Sequence, residues 1–227
     1  MFEIPLPNLL LAIGILKSAS IAYEILAFLN HFLLTKGYDL VDRYGEGSWA
    51  LVTGSSDGIG AAYAKLLAQK GFNVCLVSRT KSKLEKVESD INKQSPNVKT
   101  RIVVADFSGD ASLGFYRNIL DQVQDLDISI VIANAGVLLI GSVEKTSASR
   151  QCGMVDVNMY HYVMMHKLFL PKLLRRTKEG KRCAMIGVSS AYYLRYFAPG
   201  MTVYSGTKAL ATYMSQGMSQ ELKDLGD

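Results

Sequence analysis

Apolar and polar positions along this chain fall into two regimes. From Leu9 to Leu34 most residues are Leu, Ile, Ala or Phe, whereas beyond Ser48 short apolar runs alternate with amphipathic stretches. The alternation predicts strands at Ala50–Thr53, Phe72–Ser78, Thr100–Ala105, Ile128–Ala133 and Cys183–Val188. It predicts helices near Gly60–Lys70, Ser82–Lys93, Ala111–Gln124, Ser149–Arg175 and Tyr204–Leu222, the fourth bent near Pro171. Gly71 stands where a glycine closes a helix, and Ser95-Pro96-Asn97 reads as a turn. Short apolar strands alternating with helices define an α/β protein, a doubly wound parallel sheet with helices on both faces.

The N-terminal run is long enough to cross a hydrocarbon core of ~30 Å at ~1.5 Å per residue. Lys17, Glu24 and His31 interrupt it at intervals of seven, on roughly one helical face. A charge near the bilayer centre costs ~2.5–3.5 kcal/mol, which counts against a single clean span. Three arrangements fit: a spanning or re-entrant anchor with its polar face against a partner, an interfacial amphipathic helix, or a long helix packed on the domain. Membrane attachment in one of the first two forms is the expectation. Glu3 in place of a basic start, and the length of the run, argue against a cleaved signal. The organisation is then an anchor segment at 1–36, a polar connector at 37–47 and a domain at 48–227.

Composition narrows the chemistry. The 227 residues suffice for one well-buried domain, and 49% of them are hydrophobic. A net charge of +5 is too small for a nucleic-acid-binding stripe. Cys75, Cys152 and Cys183 lie far apart with no metal-like spacing, so no metal is expected and the thiols read as reduced in a cytosol-facing domain. The absence of an Asn-x-Ser/Thr sequon agrees with that side of a membrane. Lys172, Arg175, Arg176, Lys178, Lys181 and Arg182 read as favourable charge at a helix C-terminus plus a solvated loop, with membrane-surface contact as the other reading.

Two stretches carry the function. Thr53-Gly54-Ser55-Ser56-Asp57-Gly58-Ile59-Gly60 follows the first strand. Gly54 turns the backbone off the strand, Gly58 allows close approach of a pyrophosphate, and Gly60 lets the next helix pack on the sheet, with phosphates at that helix's N-terminus. The second strand ends Val77-Ser78-Arg79-Thr80 without an acidic residue, so Arg79 suits the 2′-phosphate of NADP(H). Tyr204-Ser205-Gly206-Thr207-Lys208 puts a phenol and an ammonium one helical turn apart. A neighbouring ammonium lowers a phenol's pKa from ~10 and eases proton exchange. Tyr192, Tyr193 and Tyr196 lack that lysine.

These motifs, with Asp106, Asn134-Ala135-Gly136, Asn158 and Ser190, resemble the short-chain dehydrogenase/reductase family, whose sheet is of Rossmann type. The resemblance implies that Tyr204 exchanges a proton with substrate, and that Lys208 tunes it and holds the nicotinamide ribose. It further implies that Ser190 hydrogen-bonds the substrate oxygen and that Asn158 supports a water-linked proton path. Asp106 would sit near the adenine and Asn134, Ala135 and Gly136 would line the cofactor cleft. The long helix and its successor would form a homodimer contact.

The apolar N-terminus, Ser48-Trp49-Ala50 and Ser78-Arg79-Thr80-Lys81 resemble more narrowly the membrane-bound very-long-chain 3-oxoacyl-CoA reductases and 17β-hydroxysteroid dehydrogenases of the endoplasmic reticulum. That implies NADPH-dependent reduction of a lipid-like ketone, a long-chain 3-oxoacyl-CoA before a steroid ketone, on an endoplasmic reticulum membrane with the domain facing the cytosol. A catalytically silent nucleotide-binding or scaffold protein is the reading from another class. Three departures bear on it. Ala133 stands where many relatives carry a second Asn. Ala191 to Val203 is one residue longer than usual, so Ser189 is the fallback serine. The chain stops at Asp227, before the family's C-terminal strands and substrate-covering segment, so an incomplete sheet is expected. Tyr192 to Phe197 would line an apolar pocket or pack under the loop.

Overall fold

A computed structural model describes residues 5–30, 33, 37–109, 112–194 and 199–224. His31, Arg195, Tyr196 and Phe197 therefore lie outside the described residues, and the aromatic-loop reading is followed only through Tyr192. Two units are present, Met1–Asp39 and Leu40–Asp227.

The first unit is dominated by helix α1, Leu6–Leu29. Its mean hydropathy and 24-residue length suffice to cross a membrane, and none of its residues is buried. Apolar side chains surround α1 rather than gathering on one face, unlike the amphipathic pattern of an interfacial helix.

The second unit opens with a short helix α2 (Leu40–Tyr44) within the polar connector. It continues as β1 (Trp49–Thr53), α3 (Gly58–Gln69), β2 (Asn73–Ser78), α4 (Lys81–Gln94), β3 (Thr100–Val104), α5 (Leu113–Asp121) and β4 (Ile128–Ala133). After β4 come α6 (Ala148–Val155), a π-helical turn (Asp156–Tyr160), α7 (His161–Lys178), β5 (Ala184–Gly187), a 3-10 turn (Ala191–Leu194) and α8 (Thr202–Asp224). The strands form one parallel sheet in the order β3-β2-β1-β4-β5. The order reverses between β1 and β4, and a ligand crevice in such a sheet opens at that point beyond the strands' C-terminal ends.

Alternate residues of each strand enter opposite cores. Ala50, Val52, Val74, Leu76, Ile130 and Ile132 face Ala64, Leu67, Leu84 and Ile91 of α3 and α4. Leu51, Cys75, Val77 and Val131 face Tyr116, Met165 and Phe169 of α5 and α7. The strands read as unbroken apolar runs because both faces are covered. At ~25 cal/mol per Å² this burial is the main force holding the sheet. Among the described residues β3 and β5 form the two edges, and Ile186 of β5 is exposed.

The long helix is divided by the π-helical turn around Asn158, and Pro171 lies inside α7. In the basic cluster Arg176 is internal rather than solvated, and Lys172 is half-buried. Arg176 is buried, its guanidinium donating to both carboxylate oxygens of Asp127 (2.8 and 3.2 Å) and to the Tyr44 carbonyl (2.7 Å). Lys172 donates to the carbonyls of Val123 and Gln124, each at 3.0 Å.

His161 opens α7 fully buried against the Phe107 ring, and neither ring nitrogen has a hydrogen-bond partner among the described residues. Burial pushes its pKa down from 6.5 to about 3. The folded state therefore keeps it neutral, while the unfolded chain takes up a proton below pH 6.5. Its stabilising contribution is complete above pH 6.5 and is lost as the pH falls toward about 3. At pH 5 the loss is on the order of 2 kcal/mol. His161→Leu is expected to shrink the stability difference between pH 7.5 and 5 by that amount in denaturant titrations; an unchanged difference would show that His161 is not responsible.

Candidate active site

A cleft of about 470 Å³ opens beyond the C-terminal ends of β1, β2 and β4, at the sheet's switch point. Gly54, Ser56, Asp57, Gly58 and Ile59 form its floor, and Arg79, Asp106 and Asn134–Gly136 form its sides. Tyr204 and Lys208, one turn apart on α8, close the far end. Ser55, Gly60, Asn158 and Ser190 stand outside the lining.

The glycine turn follows from local geometry. Gly54 has φ +65°, and a Cβ there would stand 2.8 Å from the Ala135 Cα. A Cβ on Gly60 would fall 2.3 Å from the Gly54 carbonyl oxygen and 2.5 Å from Asn134 Nδ2. A Cβ on Gly58 (φ +52°) would meet nothing within 4 Å, because that position faces the open cleft. The space thus lies where the N–H groups and dipole of α3 favour an anion. Asp57 caps this helix, its Oδ1 accepting from Gly58 N at 2.7 Å, and its exposed carboxylate has Lys83 3.6 Å away to offset its charge. Behind the turn, Ser55 Oγ donates to the Val77 carbonyl (3.5 Å) and Ser56 Oγ pairs with Ser78 Oγ (2.9 Å). Asn134 Nδ2 donates to the carbonyl of Thr53 at 2.9 Å and ties β4 to the turn. Thr53 Oγ1 accepts from the backbone of both Asn134 and Ala135.

Arg79 is exposed at the rim beside Asp106. Hydrogen bonds from the Ser108 hydroxyl and backbone hold the Asp106 carboxyl below the usual range, with a smaller contribution from Arg79. These residues fit a dinucleotide: an anion-binding turn with glycines at 54, 58 and 60, a cation at the ribose end and a flanking carboxylate.

At the other end, Lys208 is buried and donates from Nζ to the Val188 carbonyl at 2.9 Å. Its Nζ lies 5.9 Å from the Tyr204 ring centroid, and burial holds its pKa below the usual lysine range. A Cβ on Gly136 would come 3.3 Å from Lys208 Nζ, so a small residue there leaves room for the ammonium. Asn158 is buried in the π-helical turn and grips Val137: its Oδ1 accepts from Val137 N (2.8 Å) and its Nδ2 donates to Val137 O (2.9 Å).

The two candidate serines, Ser190 and its fallback Ser189, are placed differently. Ser189 lies on the cleft wall, but its hydroxyl donates to the Lys208 carbonyl (2.8 Å) and pairs with Thr212 Oγ1 (2.7 Å). Ser190 Oγ accepts a long bond from Tyr192 N at 3.4 Å, and the Tyr192 ring packs edge-on to Tyr204 at 6.3 Å. Sequence reasoning missed Phe107, Val137, Leu138 and Val188 as lining residues. Their position within five residues of the C-terminal ends of β3, β4 and β5 was the available signal.

A dinucleotide-shaped crevice at the switch point, closed by a Tyr-x-x-x-Lys helix, defines a nicotinamide-linked oxidoreductase fold. Family comparison agrees: the family model described as "short chain dehydrogenase" matches residues 48–226, and the chain belongs to that family. It is 35% identical to a very-long-chain 3-oxoacyl-CoA reductase of Anas platyrhynchos, over 80% of this chain and 57% of the duck protein. It is 36% identical to hydroxysteroid dehydrogenase-like protein 1 of Gallus gallus, over 83% of this chain and 54% of that protein. Among solved structures, a short-chain dehydrogenase from Sphingobium yanoikuyae in complex with NADPH superposes with a TM-score of 0.68 at 26% identity, over 79% of this chain and 67% of that one. The chain thus spans less than two thirds of the length of these curated relatives.

Proposed function

We propose that this chain forms the cofactor- and carbonyl-handling part of an NADPH-dependent reductase of lipid-like ketones, with long-chain 3-oxoacyl-CoA thioesters as favoured substrates. The observation that carries this reading is the single cleft in which the Gly54–Gly60 turn, Arg79, Tyr204 and Lys208 meet. When bound, a reduced nicotinamide supplies a hydride to a carbonyl carbon. The Gly54–Gly60 turn would hold the pyrophosphate, Arg79 the 2′-phosphate and Lys208 the nicotinamide ribose.

Tyr204 donates its phenolic proton to the ketone oxygen as charge develops there. Lys208 spends one Nζ proton on Val188 and keeps two for the ribose and for the phenolate left after transfer. Ser190 polarises the carbonyl, with Ser189 as the alternative donor once released from Lys208. Asn158 holds the loop that begins at Val137.

That loop supports the proposed substrate class. Val137 and Leu138 are exposed large apolar side chains lining the cleft, Val143 lines an adjoining pocket that also holds Tyr204, and the exposed Ile140 lies between them along the same loop. Gly141 N donates to Gly200 O at 2.9 Å and fixes the loop against the segment before α8. An apolar chain attached to the reacting ketone would cover these side chains. The helix α1 supports attachment to a membrane in which such substrates dissolve; the narrower resemblance points to the endoplasmic reticulum with the domain in the cytosol. A steroid ketone is the second reading, favoured by the name of the chicken relative.

The test is NADPH oxidation by the detergent-solubilised chain with 3-oxoacyl-CoA thioesters of increasing length, beside a steroid ketone. Turnover rising with chain length, and falling selectively for long chains in Ile140→Asp, supports the acyl reading. A preference for the steroid supports the second. NADPH binding without turnover of either would favour a silent binding protein. The cofactor choice has its own test. Arg79→Ala is expected to raise the KM for NADPH about 10- to 100-fold, the worth of a charge-assisted bond, while NADH kinetics stay within about twofold. Equal effects on both cofactors would remove Arg79 from the 2′-phosphate site.

A further inference from the structure

We propose that the Thr207 hydroxyl is a positioning group that joins the proton-transfer helix to the Asn158 clamp; its catalytic consequence rests on the reading of the site given above. Thr207 is buried on α8 between Tyr204 and Lys208. Its Oγ1 donates to the Tyr204 carbonyl at 2.7 Å, so its proton is committed and a lone pair faces away from α8. Asn158 Nδ2 donates into that lone pair at 3.1 Å.

Every polar atom of the Asn158 amide is then accounted for. Oδ1 accepts from Val137 N, one Nδ2 hydrogen goes to Val137 O and the other goes to Thr207. Asn158 interrupts the α6–α7 helix at its π-helical turn, whose amide side chain must find partners in a buried setting. Val137 supplies two of the three bonds and Thr207 supplies the third. A single hydroxyl thus couples three separate elements: α8 with Tyr204 and Lys208, the π-helical turn, and the loop that leaves β4 through the cleft wall. Gly136 sits at the junction, where a Cβ would lie 3.3 Å from Lys208 Nζ and 3.4 Å from Asn158 Oδ1. Displacement of the Asn158 amide would therefore shift Val137 and the space in which the Lys208 ammonium sits.

Thr207→Val keeps the shape and β-branching and removes only the hydroxyl, leaving one Nδ2 hydrogen of Asn158 buried without an acceptor. The experiment compares Thr207→Val, Thr207→Ser and the unmodified chain in three readouts: circular dichroism for folding, hydrogen exchange of peptides covering residues 134–140, and steady-state ketone reduction. Thr207→Val is expected to stay folded, to exchange at least tenfold faster at 134–140, and to lose about 10²-fold in kcat, the scale of a 1 Å misplacement. Its KM for NADPH should change by less than about threefold. Thr207→Ser, which restores the hydroxyl, should recover kcat to within about fivefold of the unmodified chain and restore slow exchange.

Slow exchange in Thr207→Val, or equal impairment of the Ser and Val variants, would overturn the proposal. If the unmodified chain reduces no ketone, the reading of the site fails, and exchange at 134–140 still decides for or against the clamp. If the unmodified chain is active and Thr207→Val retains its kcat, the reading stands and the positioning role of Thr207 is refuted.

Discussion

Gly60→Ala is expected to abolish NADPH binding and to destabilise the domain together. A methyl group at Gly60 would fall 2.3 Å from the Gly54 carbonyl oxygen, and neither backbone can swing aside as a side-chain tip can. Gly54 is itself held by a Gly54 N to Val77 O bond of 2.8 Å and by its approach to Ala135. Relief therefore requires α3 to move off the sheet, at a cost of roughly 1–3 kcal/mol or more. Gly58→Ala is the informative companion. Nothing lies within 4 Å of its new methyl, but φ is +52°, so it carries about 1–2 kcal/mol of left-handed strain and fills space assigned to phosphate. Calorimetric titration with NADPH, beside thermal denaturation, separates the two. Gly60→Ala should fail in both measurements, whereas Gly58→Ala should lose most of its affinity with a smaller fall in Tm. Tight NADPH binding by Gly60→Ala would place the pyrophosphate elsewhere.

Tyr204→Phe is expected to lower kcat by about 10²–10⁴-fold, the range associated with a positioned proton donor. Among the described residues the Tyr204 hydroxyl makes no hydrogen bond to protein, so its loss should leave the fold intact. The ring's edge contact with Tyr192 and its place beside Lys208 Nζ survive in phenylalanine. NADPH affinity should therefore stay within a few-fold of the unmodified chain. The combination of bound cofactor, intact fold and lost turnover separates a reductase from a silent scaffold, which would show no functional loss at all.

The sheet was legible because its physics is local and repetitive. Ile128–Ala133 is buried throughout and apolar except at Ser129, since both faces are covered, and Gly71, with φ +98°, ends α3 as a glycine after a helix does. The glycine turn was equally plain, because three glycines between a buried strand and a helix have few other uses. What stayed hidden depends on contacts far apart in sequence. Arg176 looks like any arginine near a helix end, yet its partners are Asp127 and the Tyr44 carbonyl. The interruption at Asn158 went unread because a π-helical turn has no residue signature of its own, whereas Pro171, inside α7, is a visible one. Thr207 was overlooked because its role depends on an amide in another element. Adjacent Ser189 and Ser190 look alike in sequence, and only the bonds to Lys208 and Thr212 distinguish them.

The most direct test of the reductase reading is single-turnover deuterium transfer from NADPH labelled at C4 of the nicotinamide to a long-chain 3-oxoacyl-CoA, read by mass spectrometry. The account predicts one deuterium at C3 of the resulting hydroxyacyl product with the unmodified chain, and a strongly suppressed signal with Tyr204→Phe. Bound NADPH with no deuterium in any ketone offered, or equal transfer by both chains, would contradict it.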